Sequence, residues 1–233
     1  MGGLGRIIVA LDFPRCEDAL SFLNEAGKDL IWCKVGMELF TREGPIFIET
    51  LKGMGKKVFL DLKFHDIPNS VRGAVRSASS HGVDMLTIHS SGGRAMVEAA
   101  SEEGDARGIK VLAVTVLTSL GGNDFQDIGF NVDVGEIVLR QAGLALSSGA
   151  HGIVCSPLEI KRIRKEMGLD FIGVTPGIRL ERDQKGDQKR IATPEDALGW
   201  GADFLVIGRS LTGVDDPAGR LREIRKRLEE YRL

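Results

Sequence analysis

The run Asp61-Leu62-Lys63-Phe64-His65-Asp66-Ile67-Pro68-Asn69 places two carboxylates, an ammonium and an imidazole within six consecutive positions, directly after the largely apolar Lys57-Val58-Phe59-Leu60. If that apolar run continues as a strand, alternation sends Asp61, Lys63 and His65 to one face and Leu62 and Phe64 to the other. An ammonium held between carboxylates is a reaction centre that works by placed charge, without an electron sink of its own. The plainer alternative is a salt-bridged strand end. A divalent metal on Asp61, Asp66 and His89 is a further possibility. Lys63 opposes it, because a cationic group among the ligands repels the ion, so no metal is expected. His81 and His151 read as surface or helix-end residues and receive no role.

Charged residues need a scaffold to hold them, and apolar runs recur eight times: Ile7–Leu11, Leu30–Val35, Lys57–Leu62, Val83–His89, Ile109–Leu117, Gly152–Cys155, Phe171–Thr175 and Asp203–Ile207. Between them lie segments with apolar residues three and four apart: Glu17–Ala26, Gly44–Met54, Ser70–His81, Gly92–Gly104, Asp133–Ser148, Pro157–Met167, Pro194–Trp200 and Asp216–Tyr231. Alternation of strand and helix throughout predicts an α/β protein with parallel strands. Eight repeats favour a single (β/α)8 TIM barrel across residues 1–233 over an open doubly wound sheet. The first strand runs into Ala10-Leu11-Asp12-Phe13-Pro14 rather than a Gly-x-Gly-x-x-Gly turn, which removes the dinucleotide-binding fingerprint.

In such barrels the active site forms at the carboxyl ends of the strands. Those ends carry Asp12, Lys34, Asp61 with Lys63, His89, Thr118, Ser156, Pro176-Gly177 and Gly208-Arg209. Polar groups gathered at one rim are costly to bury unless they pair with each other or with a ligand. After the eighth strand, Gly208 lets backbone N–H groups approach an anion and Arg209 offers a planar fork, as expected of a phosphate site. Residues 177–193 include the polar stretch from Arg179 to Arg190, too long for an ordinary connection, and are expected to form a lid.

The bulk numbers exclude several classes. With 31 basic and 33 acidic residues and a formal net charge of −2, nothing points to nucleic acid or to adsorption on a membrane. Cys16, Cys33 and Cys155 are odd in number and form no CxxC pair, which speaks against a disulfide framework or a zinc site and for a reducing, cytoplasmic setting. No signal-like leader or run of 18 apolar residues is present in the sequence.

Val9-Ala10-Leu11-Asp12, Lys34-Val35-Gly36, the Asp61–Asn69 run, Val116-Leu117-Thr118-Ser119, Val174–Arg179, Gly186-Asp187-Gln188 and Ile207-Gly208-Arg209 occur in this order. In these motifs, over nearly the whole chain, the sequence resembles the orotidine 5'-phosphate decarboxylase family. The resemblance implies a homodimeric barrel in the cytoplasm that converts orotidine 5'-monophosphate to uridine 5'-monophosphate, the last step of pyrimidine nucleotide synthesis, without cofactor or metal.

The resemblance further implies roles for individual residues. Lys34, Asp61 and Lys63 form a charged network, completed by Asp66 from the other subunit, with Lys63 as proton donor. Asp12 and Lys34 hold the ribose hydroxyls, and Thr118 contacts the nucleotide. Ile67, Pro68 and Ser70 meet the ligand at or across the dimer interface. Leu62, Phe64, His65, Asn69 and Pro176 complete the substrate-binding set, while Arg179, Gln188, Gly208 and Arg209 bind phosphate.

Chemically, loss of carbon dioxide from C6 of the pyrimidine leaves a carbanion. Flanking carboxylates favour the charged form of a lysine, making Lys63 an acid rather than a nucleophile. Three rivals stay open on the sequence. One is a metal-dependent sugar-phosphate enzyme such as hexulose-phosphate synthase or ketogulonate-phosphate decarboxylase. The second is a Schiff-base aldolase using Lys63 or Lys34, and the third a barrel that binds nucleotide without reaction.

Overall fold

A computed structural model describes residues 3–129, 131–180 and 191–231. Its strands are β1 (Ile7–Ala10), β2 (Trp32–Gly36), β3 (Lys57–Phe64), β4 (Met85–His89), β5 (Lys110–Val114), β6 (Gly152–Val154), β7 (Ile172–Thr175) and β8 (Phe204–Ile207). All neighbours are parallel and the sheet closes, with Ile7, Ile8 and Val9 of β1 opposite Leu205, Val206 and Ile207 of β8. That pairing rules out the open sheet. Strands covered on both faces can be apolar at every position, and β1 and β8 are buried throughout.

The outer layer comprises α1 (Cys16–Ala26), α2 (Met37–Glu43), α3 (Pro45–Gly53), α4 (Pro68–Ser80), α5 (Arg94–Arg107), α6 (Gly122–Asp127), α7 (Val134–Ser147), α8 (Pro157–Met167), α9 (Pro194–Gly199), α10 (Arg209–Thr212) and α11 (Pro217–Glu230), with short 3-10 turns at Gly3–Arg6 and Ser90–Gly92. Five of these helices, α3, α4, α8, α9 and α11, begin on a proline, whose fixed φ suits the first turn and whose missing N–H would have lacked a partner there. Ser156 caps α8 in a reciprocal box with Glu159. Gly108 ends α5 in the left-handed conformation at φ 70°. On α4, Val71, Val75 and Ala78 recur at helical spacing and are buried. Complete burial of a valine is worth roughly 1.5–3 kcal/mol, so a carboxylate at Val75 would break this face.

Sequence and structure differ at the edges of elements. The fifth strand ends at Val114 rather than Leu117, level with the end of the three-residue β6, where Val114 pairs with Val154. The third continues two residues past Leu62, to Phe64. Helices α2, α6 and α10, of seven, six and four residues, were too short to show a period.

Two apolar layers result. Inside the barrel, Ile8, Trp32, Phe59, Met85, Leu112, Val174 and Phe204 fill the interior, with Trp32 edge-on to Phe204 at 5.5 Å. A larger layer joins the outward faces of the strands to the helices. At the amino ends of β7 and β8, Arg164 donates to Gly201 O (3.0 Å), Leu169 O and Phe171 O (both 2.9 Å) and Asp203 Oδ2 (2.6 Å), and its guanidinium lies 3.9 Å over the Phe171 ring. This clamp sits at the end of the barrel away from the polar rim. Among the described residues no helix is long and apolar enough to cross a membrane.

Candidate active site

The inward apolar layer forms the floor of a cavity of about 590 Å3 at the carboxyl ends of the strands, a size suited to a nucleotide-sized ligand. Its walls carry Asp12, Lys34, Asp61 and Lys63 from the β1–β3 side and Thr118, Pro176, Arg179, Gly208 and Arg209 from the β5–β8 side. Met37, Leu117, Ser119 and Gly177 also line it.

The charged residues form a chain of ion pairs. Lys34 Nζ lies 3.0 Å from Asp12 Oδ1 and 3.6 Å from Asp61 Oδ2, and Lys63 Nζ lies 3.0 Å from Asp61 Oδ1. Burial pushes the Asp61 carboxyl up. The ammonium groups of Lys34 and Lys63 and hydrogen bonds from Lys63 and Thr87 outweigh that and hold it below the usual carboxylate value. Asp61 is therefore the common anion between two cations. Gly36 makes room for this chain: a Cβ there would stand 3.2 Å from Lys34 Nζ and 3.3 Å from Asp12 Oδ1.

Strand β3 is irregular where it carries these groups. Leu60 pairs with Leu86 and Phe64 with Ile88, so four steps along β3 span two along β4, and the ladder shifts between them. Lys63 adopts φ 53°, the only positive φ outside glycine among the described residues. A left-handed non-glycine residue costs of order 1–3 kcal/mol and persists only where its surroundings impose it. Here Lys63 N–H donates to the Thr87 hydroxyl (2.9 Å), which donates to Asp61 Oδ1 (3.0 Å).

Leu62 and Phe64 do not line the cavity. They face the helical layer, where with Phe40, Ile48 and Val83 they line a separate apolar hollow of about 220 Å3. Expected among the substrate contacts, they thus stand outside the cavity lining, for the reason alternation already implied: neighbours of inward residues point outward. His65 does not line the cavity either. Its ring is 5.4 Å from that of His89, and a Cβ on Gly92 would stand 3.2 Å from it. Burial first, then His65 and Lys63, lower the His89 pKa against the opposing pull of Asp61. Asp66 is exposed and accepts from the Ile67 backbone N–H (2.6 Å), and Ile67 to Ser70 are likewise exposed. Within one chain, Asp66 and the cavity are thus apart, and Asp61, Asp66 and His89 do not converge as metal ligands. Among the described residues no group of three or more His, Cys, Asp or Glu side chains does so.

Across the cavity, Arg179 is buried, with Nη1 donating to Ile178 O (2.9 Å). Ile178 bridges Ala192, bringing together the two ends of the stretch expected to form a lid; residues 181–190, and with them Gln188, lie outside the described residues. At Gly208 a Cβ would meet only ordinary contacts, 3.6 Å from Ala10 Cβ and 3.9 Å from Asp12 Oδ2. Two contributors escaped sequence reasoning, Met37 and Thr87. Thr87 left one faint signal: it is the lone polar residue in the Met85–Ile88 run.

The model of the Orotidine 5'-phosphate decarboxylase / HUMPS family matches residues 5–224. The chain belongs to this family. An orotidine 5'-phosphate decarboxylase of Fusobacterium nucleatum is 45% identical over 226 residues, covering 96% of this chain and 95% of that one. The enzyme of the same name from Nitrosospira multiformis is 44% identical over 227 residues, with 97% and 95% covered. Among solved structures, orotidine 5'-phosphate decarboxylase from Lactobacillus acidophilus superposes with a TM-score of 0.85 at 37% identity, covering 95% of this chain and 98% of that one. The family membership thus extends over the barrel and every element that lines the cavity.

Proposed function

We propose that the protein is a carboxy-lyase that converts orotidine 5'-monophosphate to uridine 5'-monophosphate, in the cytoplasm, as the closing step of pyrimidine nucleotide synthesis. The observation that carries this reading is the Asp12–Lys34–Asp61–Lys63 chain lining a cavity that Arg179 and Arg209 also line. The phosphate goes to Arg179, Gly208 and Arg209, joined by Gln188. The ribose hydroxyls go to Asp12 and Lys34, and the pyrimidine sits over the apolar floor beside Thr118 and Pro176.

In the reaction the bond between C6 and the carboxylate breaks, its electron pair stays on C6, carbon dioxide leaves, and Lys63 delivers the proton. Its ammonium, already placed by Asp61, meets the developing carbanion without reorganisation. Asp61 also faces the substrate carboxylate. At about 4 Å and an effective dielectric near 20, their repulsion is on the order of 4 kcal/mol, relieved as carbon dioxide departs. The chemistry requires neither a metal nor an organic cofactor.

Asp66 completes the site of a second subunit in a homodimer. Its exposure supports this, as do the exposed apolar side chains of Ile67 (68%) and Met37 (59%) near the rim. Asn69 and Ser70, at the start of α4, belong to the same crossing segment. Mixing Lys63→Ala with Asp66→Asn subunits, each inactive alone, should regenerate activity in hybrid dimers; no gain on mixing would remove the shared site.

The deciding assay follows loss of orotidine 5'-monophosphate with and without EDTA. Equal turnover in both is expected. Loss of activity in EDTA, restored by a divalent ion, would point instead to a metal-dependent sugar-phosphate chemistry, and binding of uridine monophosphate without release of carbon dioxide to a non-catalytic barrel.

A further inference from the structure

We infer that Thr87 is a positioning residue for the reaction, holding the Lys63 backbone and the Asp61 carboxylate in one hydrogen-bonded unit. The inference rests on the catalytic reading of Asp61 and Lys63 given above. Thr87 is fully buried on β4, between Leu86 and Ile88, which turn outward into the helical layer. At this point the β3–β4 ladder shifts: β3 has two more residues than β4 between the Leu60–Leu86 and Phe64–Ile88 pairs. A bulge leaves backbone groups without ladder partners, and a buried N–H without an acceptor is costly. The Thr87 hydroxyl supplies that acceptor to Lys63 N–H at 2.9 Å.

A hydroxyl has one proton to give, and this one goes to Asp61 Oδ1 at 3.0 Å. The direction of both bonds is therefore set: Lys63 N–H to Thr87 oxygen, Thr87 O–H to the Asp61 carboxylate. One side chain thus ties the left-handed turn at Lys63 to the anion that pairs with the Lys63 ammonium, fixing that lysine at both its backbone and its charged end. Serine could do the same. Valine matches threonine in shape and β-preference but has neither donor nor acceptor.

Thr87→Val and Thr87→Ser are the test, read in two independent ways. In steady-state decarboxylation, Thr87→Val should lose about tenfold to a hundredfold in kcat, the effect of deleting a hydrogen bond to a charged group, with KM within about threefold. Thr87→Ser should recover most of that loss. Second, carboxyl-carbon NMR titration of Asp61 should show its midpoint displaced upward by about half a pH unit or more in Thr87→Val and restored in Thr87→Ser. The titration requires no turnover, so it stands even if the chain does not decarboxylate the nucleotide. Parental kcat together with an unmoved Asp61 midpoint in Thr87→Val would overturn the inference, as would a loss of kcat that Thr87→Ser does not repair. If Thr87→Val does not fold, Thr87→Ser and Thr87→Ala are compared by the same titration, and equal midpoints in those two overturn it.

Discussion

Replacing Asp61 by asparagine removes the shared anion of the Lys34–Asp61–Lys63 chain while keeping its shape. The three side chains are 11%, 13% and 24% exposed in that order, so solvent screens them only in part. Atom contacts of 3.6 and 3.0 Å place the charge centres about 4 Å apart, where each attraction is worth about 4 kcal/mol at an effective dielectric of 20. Much of this is spent on desolvating Asp61, and Lys34 keeps Asp12 at 3.0 Å. Lys63 is the residue left stranded, because Asp61 is its one ion-pair partner among the described residues. Breaking a buried pair from one side costs about 3–5 kcal/mol, and partial access of Lys63 to water reduces this to about 2–3 kcal/mol.

That loss corresponds to a fall in Tm of about 4–12 °C for a domain of this size. The assay is urea unfolding at pH 7 of the parent, Asp61→Asn, Lys63→Met and the double variant. The double variant should be more stable than Asp61→Asn, because methionine removes the stranded charge, giving a coupling of about 1.5–3 kcal/mol. The Asp61 contribution is present above the unfolded carboxyl value, about 3.9, and is lost as pH falls through its lowered folded value. Additive single effects, or an Asp61→Asn variant as stable as the parent, would refute the reasoning. In parallel both single variants should lose at least about a hundredfold in decarboxylation.

Two further outcomes follow from other charged sites. Arg164→Ala should destabilise the barrel by about 3–5 kcal/mol in urea unfolding, since it removes the cation paired with Asp203 and the hydrogen bonds to three carbonyls, yet keep kcat at 25 °C because the clamp lies away from the cavity; reduced kcat with unchanged stability would contradict this. Hydrogen bonds from Arg76, and then Arg107, hold the Glu103 carboxyl down at about 2. Its folded-state value is below the unfolded one, so its stabilisation is complete above about pH 4.5 and fades as pH falls toward 2. The Tm gap between the parent and Glu103→Gln should therefore narrow on acidification over that range, and a gap independent of pH would be inconsistent with the pairing.

The eight strands were legible because burial on both faces leaves nearly unbroken apolar runs, a local signal written in consecutive residues. The rim was legible for the converse reason: Asp12, Lys34, Asp61, Thr118 and Arg209 interrupt those runs at the same end of each repeat. Asp61 and Lys63 could be placed on one face by alternation alone, and their motifs carried the family. What alternation could not reach was the shift between β3 and β4. It arises from pairing Phe64 with Ile88, a residue 24 positions on, and a mismatch between distant strands has no signature in either strand by itself. From that shift follow the left-handed Lys63, the need for Thr87 beneath it, and the displacement of His65 onto His89. Gly36 is the same kind of case, since the space it leaves matters only once Asp12 and Lys34 have met from separate strands. Residue type and period thus determined the barrel, its reactive rim and the family. Tertiary packing alone decided the geometry of the charged chain, because Asp12, Lys34 and Asp61 meet from successive strands and the Asp61–Lys63 pair is held through Thr87 of the next one.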